Sequence, residues 1–235
     1  MGNSWFQFQQ FKIHQDRCAM KISTDAVLLG ALTDCGKAEN ILDIGTGTGV
    51  VALMLAQRAP KANIIAVEID SDAAEQAKEN FEESPFSSRL ELFYGRFQDY
   101  SSEDQFDLIV SNPPYFSDHL KSPDPKRNKA LHTDELSFAD LATNTKALLK
   151  PNGQIWIILP PRQMEELRGV FKGVGLDEFE RVIIRDREDS RVLREVSAFS
   201  FSGQKSKSRN LVLKNADGSY TEEYRQLISG FLLGY

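Results

Sequence analysis

The chain has 235 residues, 41% of them apolar and 26% charged, with a formal charge of −6. That length supports a full hydrophobic core, and the composition excludes disordered, collagen-like and coiled-coil classes. No apolar run approaches the roughly 18 residues of a membrane span. The opening MGNSWFQFQQ lacks the apolar stretch of a signal peptide, and Phe6 stands where a myristoylation signal needs Ser or Thr. Cys18 and Cys35 form no CxxC pattern and adjoin no His pair, so no disulfide framework or zinc site is expected, and a reducing cytoplasm is. His14, His119 and His132 are too dispersed for any other metal site. A charge of −6 also argues, at first sight, against a nucleic-acid partner.

In chain order, residues 5–13 alternate apolar and polar side chains as a half-buried strand, and Thr24 is placed to cap a helix through Leu32. A short apolar run at 40–44 ends at glycines, and helical periodicity over 50–58 is closed by Pro60. Residues 63–69 are β-rich, 71–82 form an amphipathic helix capped by Ser71, and 90–94 and 106–110 read as strands. The last of these stops at Pro113-Pro114, neither of which has a ladder N–H. A helix at 137–149 and a strand at 155–159 follow. This βαβαβ rhythm requires a mostly parallel sheet with helices on both faces, and ligand chemistry outside the carboxyl ends of its strands. Residues 179–184 and 195–201 have no helix between them, which predicts an antiparallel hairpin at the sheet edge, and 220–233 read as a final helix. A single domain is expected: an extension at 1–35, a core at 36–202, then a basic loop and helix at 203–235.

Asp43-Ile44-Gly45-Thr46-Gly47-Thr48-Gly49 follows a strand and opens a helix. Its spacing is GxGxG, not the GxGxxG of dinucleotide sites, and Asp43 would repel a diphosphate while suiting a ligand with an ammonium group. Glu68, followed by Ile69 at the end of the second strand, can accept hydrogen bonds from both hydroxyls of a ribose. A ligand with ribose, ammonium and no phosphate matches S-adenosyl-L-methionine. Here the chain resembles the class I S-adenosylmethionine-dependent methyltransferases over about residues 20–202. The resemblance implies a Rossmann-like α/β fold, with a mostly parallel seven-stranded sheet and an antiparallel edge hairpin. It also implies cofactor contacts at Asp43, Gly45, Gly47, Gly49, Glu68, Ile69 and Asn112. Where such enzymes often carry an Asp for the adenine amino group, this chain has Gly95-Arg96-Phe97. Backbone groups of Arg96 or Phe97, or the nearby Asp99, would have to fill that role.

Asn112-Pro113-Pro114-Tyr115 follows the fourth strand. An exocyclic amine on an aromatic ring is a poor nucleophile because its lone pair is delocalised. Accepting its two N–H bonds, one at the Asn112 side-chain oxygen and one at the Pro113 carbonyl, localises that lone pair for in-line attack on a methyl group. Tyr115 offers a face for the planar base. The motif resembles that of methyltransferases acting on adenine N6, guanine N2 or the glutamine amide, so it specifies the reaction and leaves the substrate open.

Charge distribution leans toward RNA. Residues 119–132 carry Lys121, Lys126, Arg127 and Lys129 against Asp124, a net of +3. Residues 203–214 carry Lys205, Lys207, Arg209 and Lys214 with no acid, a net of +4, whereas ten acids and three bases give residues 71–107 a net of −7. Screening acts within about 8 Å, so basic loops can hold phosphates on an acidic protein. The stretch 20–31, the Asn-Pro-Pro-Tyr-Phe run, Ser137-Phe138-Ala139-Asp140-Leu141 and the ending Tyr220-Thr221-Glu222-Glu223-Tyr224 resemble the bacterial tRNA1(Val) adenine-N6 methyltransferases. That resemblance implies N6-methylation of adenosine 37 in tRNA by a cytoplasmic enzyme. It places Lys21, Thr24 and Asp25 against the cofactor and implies RNA contacts from Phe116, the bases of 121–129, His132, Lys205, Lys207 and Arg209. A monomer without metal or membrane attachment is expected. Relatives usually show Arg after Ala130, where this chain has Leu131-His132, so Arg127 or His132 must compensate. Protein glutamine and ribosomal guanine-N2 methylation by the same chemistry remain alternatives, as do a non-catalytic RNA module and a dinucleotide-dependent dehydrogenase.

Overall fold

A computed structural model describes residues 3–18, 20–114, 136–203 and 205–234. Near the N-terminus come β1 (Trp5–Gln7), β2 (Lys12–His14) and α1 (Thr24–Leu32). Next in the chain are β3 (Asn40–Ile44), α2 (Val50–Arg58), β4 (Asn63–Glu68), α3 (Ser71–Glu82), β5 (Leu90–Tyr94) and β6 (Phe106–Ser111). The remainder comprises α4 (Phe138–Leu148), β7 (Leu149–Leu159), α5 (Pro161–Gly173), β8 (Asp177–Arg185), β9 (Val192–Ser200), β10 (Lys207–Val212) and α6 (Glu222–Ile228). Eight strands form one sheet in the order β10-β8-β9-β7-β6-β3-β4-β5, parallel except for β9.

The central strands are buried on both faces, so successive side chains feed two cores. Ile41, Leu108, Val110, Trp156 and Ile158 join the core under α1, α2, α3 and α6. Their neighbours Leu42, Ile109, Ile155 and Ile157 join the core under α4 and α5. The three-layer arrangement follows from that alternation. The chain proceeds outward from β3 through β4 to β5, then returns to place β6 on the other side of β3. The carboxyl ends of β3 and β6 therefore flank the topological switch point, where such sheets bind ligands.

The mostly parallel sheet and the β8–β9 hairpin agree with the expectation, with four local differences. The hairpin does not end the sheet, because β10 pairs in parallel with β8 over six residues. Half of the expected basic loop is thus an edge strand, polar on its exposed side as edge strands are, with Leu211 buried as its anchor. The single strand expected at 5–13 is a hairpin, β1 against β2. Its turn contains no Gly or Pro; the Gln7 amide Nε2 holds it by donating to the carbonyls of Phe8 and Phe11 at 2.6 and 3.1 Å. The last helix stops at Ile228, and the chain then turns back so that Gln9 N donates to Phe231 O at 2.8 Å. Two helix caps lie one residue earlier than expected: Ser23 rather than Thr24 caps α1, and Asp70 rather than Ser71 caps α3.

Candidate active site

The turn after β3 is a tight loop held from β4. Gly45 N and Thr46 N both donate to Val67 O, at 2.9 and 3.1 Å, and Gly49 N donates to Thr46 O at 2.9 Å. Gly47 sits at φ +57°, in the left-handed region, and nothing lies within 4 Å of where a Cβ would be. Gly49 answers a different constraint: a Cβ there would lie 2.5 Å from the Phe81 ring. Gly49 is also the N-cap of α2 and supplies no side-chain cap; the Ala52 amide of the first turn donates to Asp43 instead.

Two carboxylates stabilise this turn. Glu68, the last residue of β4, is buried and accepts from Gly47 N at 2.8 Å through one oxygen. Its other oxygen accepts from Ile69 N and Asp70 N at 2.9 and 3.0 Å. A carboxylate has about four acceptor positions, so capacity remains for a hydroxyl ligand. Asp43 is fully buried beneath the turn and accepts the Thr46 hydroxyl at 2.6 Å. Burial, against the hydrogen bonds from Thr46 and Ala52, pushes its carboxyl up to about 7. Ile69 is 45% exposed, an apolar side chain left beside Glu68 where a flat ring could cover it.

The reaction motif leaves β6 in register with this turn. Asp43 pairs with Val110 and Ile44 with Ser111, so Asn112 emerges one step beyond the pair that precedes Gly45. Ser111 is fully buried and its Oγ donates to Ile44 O at 2.9 Å. Asn112 is half-buried, Pro113 buried and Pro114 exposed. Tyr115, Phe116, Lys121, Lys126, Arg127, Lys129 and His132 lie outside the described residues.

Other expected contacts distribute differently. Arg96 holds Asp99 in a two-pronged ion pair at 2.8 and 2.9 Å, which keeps the Asp99 carboxyl below its ordinary range. The Phe97 ring is buried in the core beneath α4, leaving its backbone as the part that a ligand could meet. Lys21 is exposed and its Nζ donates to Asn3 O at 3.1 Å. Thr24 begins α1 on an exposed face, and Asp25 pairs with Arg194 of β9 at 2.7 Å. Because β10 runs parallel to β8, Lys205 and Lys207 stand at its amino end and Arg209 midway, paired with Glu223 at 3.0 Å. Of the four bases at 203–214, Lys214 is the one beyond the carboxyl end.

Sequence reading missed a polar latch behind the turn. Asn80, fully buried on α3, donates through Nδ2 to His14 O and Thr48 O, each at 2.9 Å, and accepts from His14 N at 2.7 Å. It ties the N-terminal segment to the glycine turn. Gln76, one helical turn earlier, accepts from Arg17 N at 3.1 Å. Two amides at i, i+4 on the Ala73–Ala77 face were the available signal. Cys18 lies in the same segment, and burial with the Glu68 and Asp70 charges pushes its thiol up to about 11. It is no nucleophile near neutral pH. Among the described residues, no group of three or more His, Cys, Asp or Glu side chains could hold a metal ion. No helix among them is long and apolar enough to cross a membrane.

Comparison with known proteins agrees with this geometry. Residues 21–176 match the methyltransferase small domain family. A Pedobacter heparinus protein named tRNA1(Val) (adenine(37)-N6)-methyltransferase is 44% identical over 230 residues, covering 98% of each chain. A Bacteroides fragilis protein of the same name is 42% identical over 236 residues, 99% of each chain. Among solved structures, a predicted O-methyltransferase from Agrobacterium tumefaciens superposes with a TM-score of 0.70 at 21% identity, covering 88% of this chain and 96% of that one. That likeness establishes a methyltransferase fold alone. Glycine turn, reaction motif and near-full-length similarity converge: the chain belongs to the methyltransferase small domain family and, within it, to the family of the bacterial tRNA1(Val) (adenine(37)-N6)-methyltransferases.

Proposed function

We propose that this protein methylates N6 of an adenine in tRNA with S-adenosyl-L-methionine as donor, the target being adenosine 37, beside the anticodon of tRNA1(Val). The observation that carries the reading is the register that sets Asn112-Pro113 beside the glycine turn at the switch point. Its relatives' names supply the substrate.

The residues present fit the cofactor. Open space beside Gly47 admits its backbone, Glu68 retains acceptor capacity for a ribose hydroxyl, and Ile69 offers an apolar cover for the adenine. The Asp43 charge beneath the turn favours an ammonium group. Lys21 and Thr24 complete the proposed set from the N-terminal segment. When bound, the cofactor supplies a methyl group on a positively charged sulfur, which needs no metal or protein nucleophile for its transfer.

The chain's own residues do the rest. The Asn112 side-chain oxygen and the Pro113 carbonyl accept the two N6 hydrogens and aim the nitrogen lone pair. Because the nitrogen becomes positive as the bond forms, both contacts strengthen toward the transition state. Neither group is basic enough to keep the proton, so the alkylated nitrogen releases it to water. Tyr115 stacks on the base in this scheme. An anticodon loop presents unstacked bases, which lowers the cost of extruding the target. Phe116, the bases of 121–129, His132, Lys205, Lys207 and Arg209 remain proposed RNA contacts, with a cytoplasmic monomer as the working form.

Incubation with methyl-labelled cofactor and either total RNA or total protein tests the substrate class. Label should enter tRNA. Label entering protein alone would point to glutamine and overturn the reading.

A further inference from the structure

One buried amide that the methyl transfer does not use joins the cofactor turn to the N-terminal segment. Asn80 meets the backbone of His14 as a neighbouring strand would, accepting from His14 N at 2.7 Å and donating to His14 O at 2.9 Å. Its second Nδ2 hydrogen goes to Thr48 O at 2.9 Å, inside the glycine turn between Gly47 and Gly49. This pattern fits an amide and no carboxylate. Two carbonyls need donors and one N–H needs an acceptor, so an aspartate of the same shape would face both carbonyl oxygens with no proton to offer.

α3 holds the same two partners at neighbouring points. Its Phe81 ring lies against Gly49, where a Cβ would come within 2.5 Å. Gln76, one helical turn before Asn80 and also buried, accepts from Arg17 N at 3.1 Å, and the Arg17 guanidinium pairs with Glu79 at 2.7 Å. The apolar anchors Phe11 and Ile13 fix the segment up to β2, and from His14 to Arg17 the amides of α3 take over.

Glu68 adjoins both partners. It accepts from Gly47 N at 2.8 Å, and its charge reaches the buried Cys18, the residue after Arg17. Residues 14–18 therefore stand beside the carboxylate assigned to the ribose, on a support shared with the glycine turn. A ligand seated on Glu68 meets a pocket whose two borders are set by one face of α3.

We propose that Asn80 is a positioning residue for the cofactor, docking residues 14–18 against the glycine turn so that a docked N-terminal segment and an occupied cofactor site favour one another. The proposal rests on the cofactor reading above. Linkage makes the coupling reciprocal: the factor that docking adds to affinity is the factor that the ligand adds to docking.

Calorimetric titration, steady-state kinetics and hydrogen exchange test it together. Asn80→Asp keeps the shape and removes both donors, and should weaken S-adenosylhomocysteine binding about tenfold or more. KM for S-adenosyl-L-methionine should rise in step, while kcat at saturating cofactor stays within about threefold of wild type. Gln76→Ala, which leaves Asn80 in place, should show a smaller loss in the same direction, and is read in its stead if Asn80→Asp does not fold. Val182→Ala, in the core of β8 five strands from β4, should lower the melting temperature and leave affinity unchanged. In the wild type, S-adenosylhomocysteine should slow exchange in the peptide covering residues 12–18, and Asn80→Asp should lose most of that protection. Affinity within twofold of wild type in both amide variants would overturn the proposal and leave the cofactor reading standing. So would exchange at 12–18 that ignores the ligand, or a Val182→Ala variant that loses as much affinity as Asn80→Asp. A wild type that binds no S-adenosylhomocysteine would overturn both.

Discussion

Ser111 Oγ donates a 2.9 Å hydrogen bond to the carbonyl of Ile44, tying the last residue of β6 to the last residue of β3. The next residues along the chain are Asn112 and Gly45, so this bond fixes the reaction motif against the cofactor turn. Ser111→Ala should cost about 1–2 kcal/mol of stability as a buried hydrogen bond is lost. Turnover should fall roughly tenfold through misplacement, with S-adenosylhomocysteine affinity changing far less. Melting curves, calorimetric titration and steady-state rates read the three effects. Equal losses in affinity and turnover would mean that Ser111 only supports the fold.

Asn112→Ala should lower turnover by about 10²–10³, the usual consequence of deleting one preorganised transition-state contact. Cofactor affinity should hold within a few-fold. Single-turnover rates at saturating tRNA measure this, and turnover within twofold of wild type would remove Asn112 from the chemistry.

Glu68 joins the glycine turn to the start of α3 through three backbone amides. Glu68→Ala leaves those part-buried donors short of an acceptor and should weaken S-adenosylhomocysteine binding at least tenfold, about 1.5–3 kcal/mol for charge-assisted bonds. Isothermal titration is the readout. Unchanged binding would contradict the assigned ribose role.

Asp43 predicts a pH dependence. Burial raises its folded-state value to about 7 from the ordinary 3.8. Between those values the folded chain holds a proton that the unfolded chain has released, so this group's contribution to stability falls as pH rises from about 4 to 7 and is then level. Asp43→Asn does not titrate and retains an acceptor for Thr46. Its melting temperature relative to wild type should therefore climb across that window, by the equivalent of at most a few kcal/mol at pH 8. Wild-type affinity for S-adenosylhomocysteine should rise with pH up to about 7 as Asp43 ionises, whereas the variant's should stay low and flat. A wild-type profile parallel to the variant's would exclude Asp43 as the titrating group.

Much of this was legible because its causes are local. Short apolar, β-rich runs marked β3, β4 and β6, and glycine and proline chemistry marked the two turns at the switch point. What escaped depends on partners distant in sequence. β10 is an edge strand whose Lys207-Ser208-Arg209-Asn210 stretch carries no apolar alternation, and its pairing with β8 supplies the missing signal. The Phe8–Phe11 turn is made by the Gln7 side chain instead of by a turn-forming residue. The Ser111–Ile44 bond spans 67 positions and the Asn80–His14 bonds 66, so neither leaves a motif. Basic residues at 203–214 could be counted in sequence, but strand direction decides that Lys207 and Lys214 stand at opposite ends of β10.

The central claim is that Asn112 and Pro113 direct methyl transfer to adenine N6 in tRNA, and nucleoside mass spectrometry of tRNA1(Val) tests it most directly. Purified from cells lacking the gene and treated with the protein and S-adenosyl-L-methionine, that tRNA should gain one N6-methyladenosine, located at position 37. The Asn112→Ala protein should add almost none in the same time. Methylguanosine in its place, or tRNA that stays unmodified while the cofactor is consumed on protein, would contradict the account.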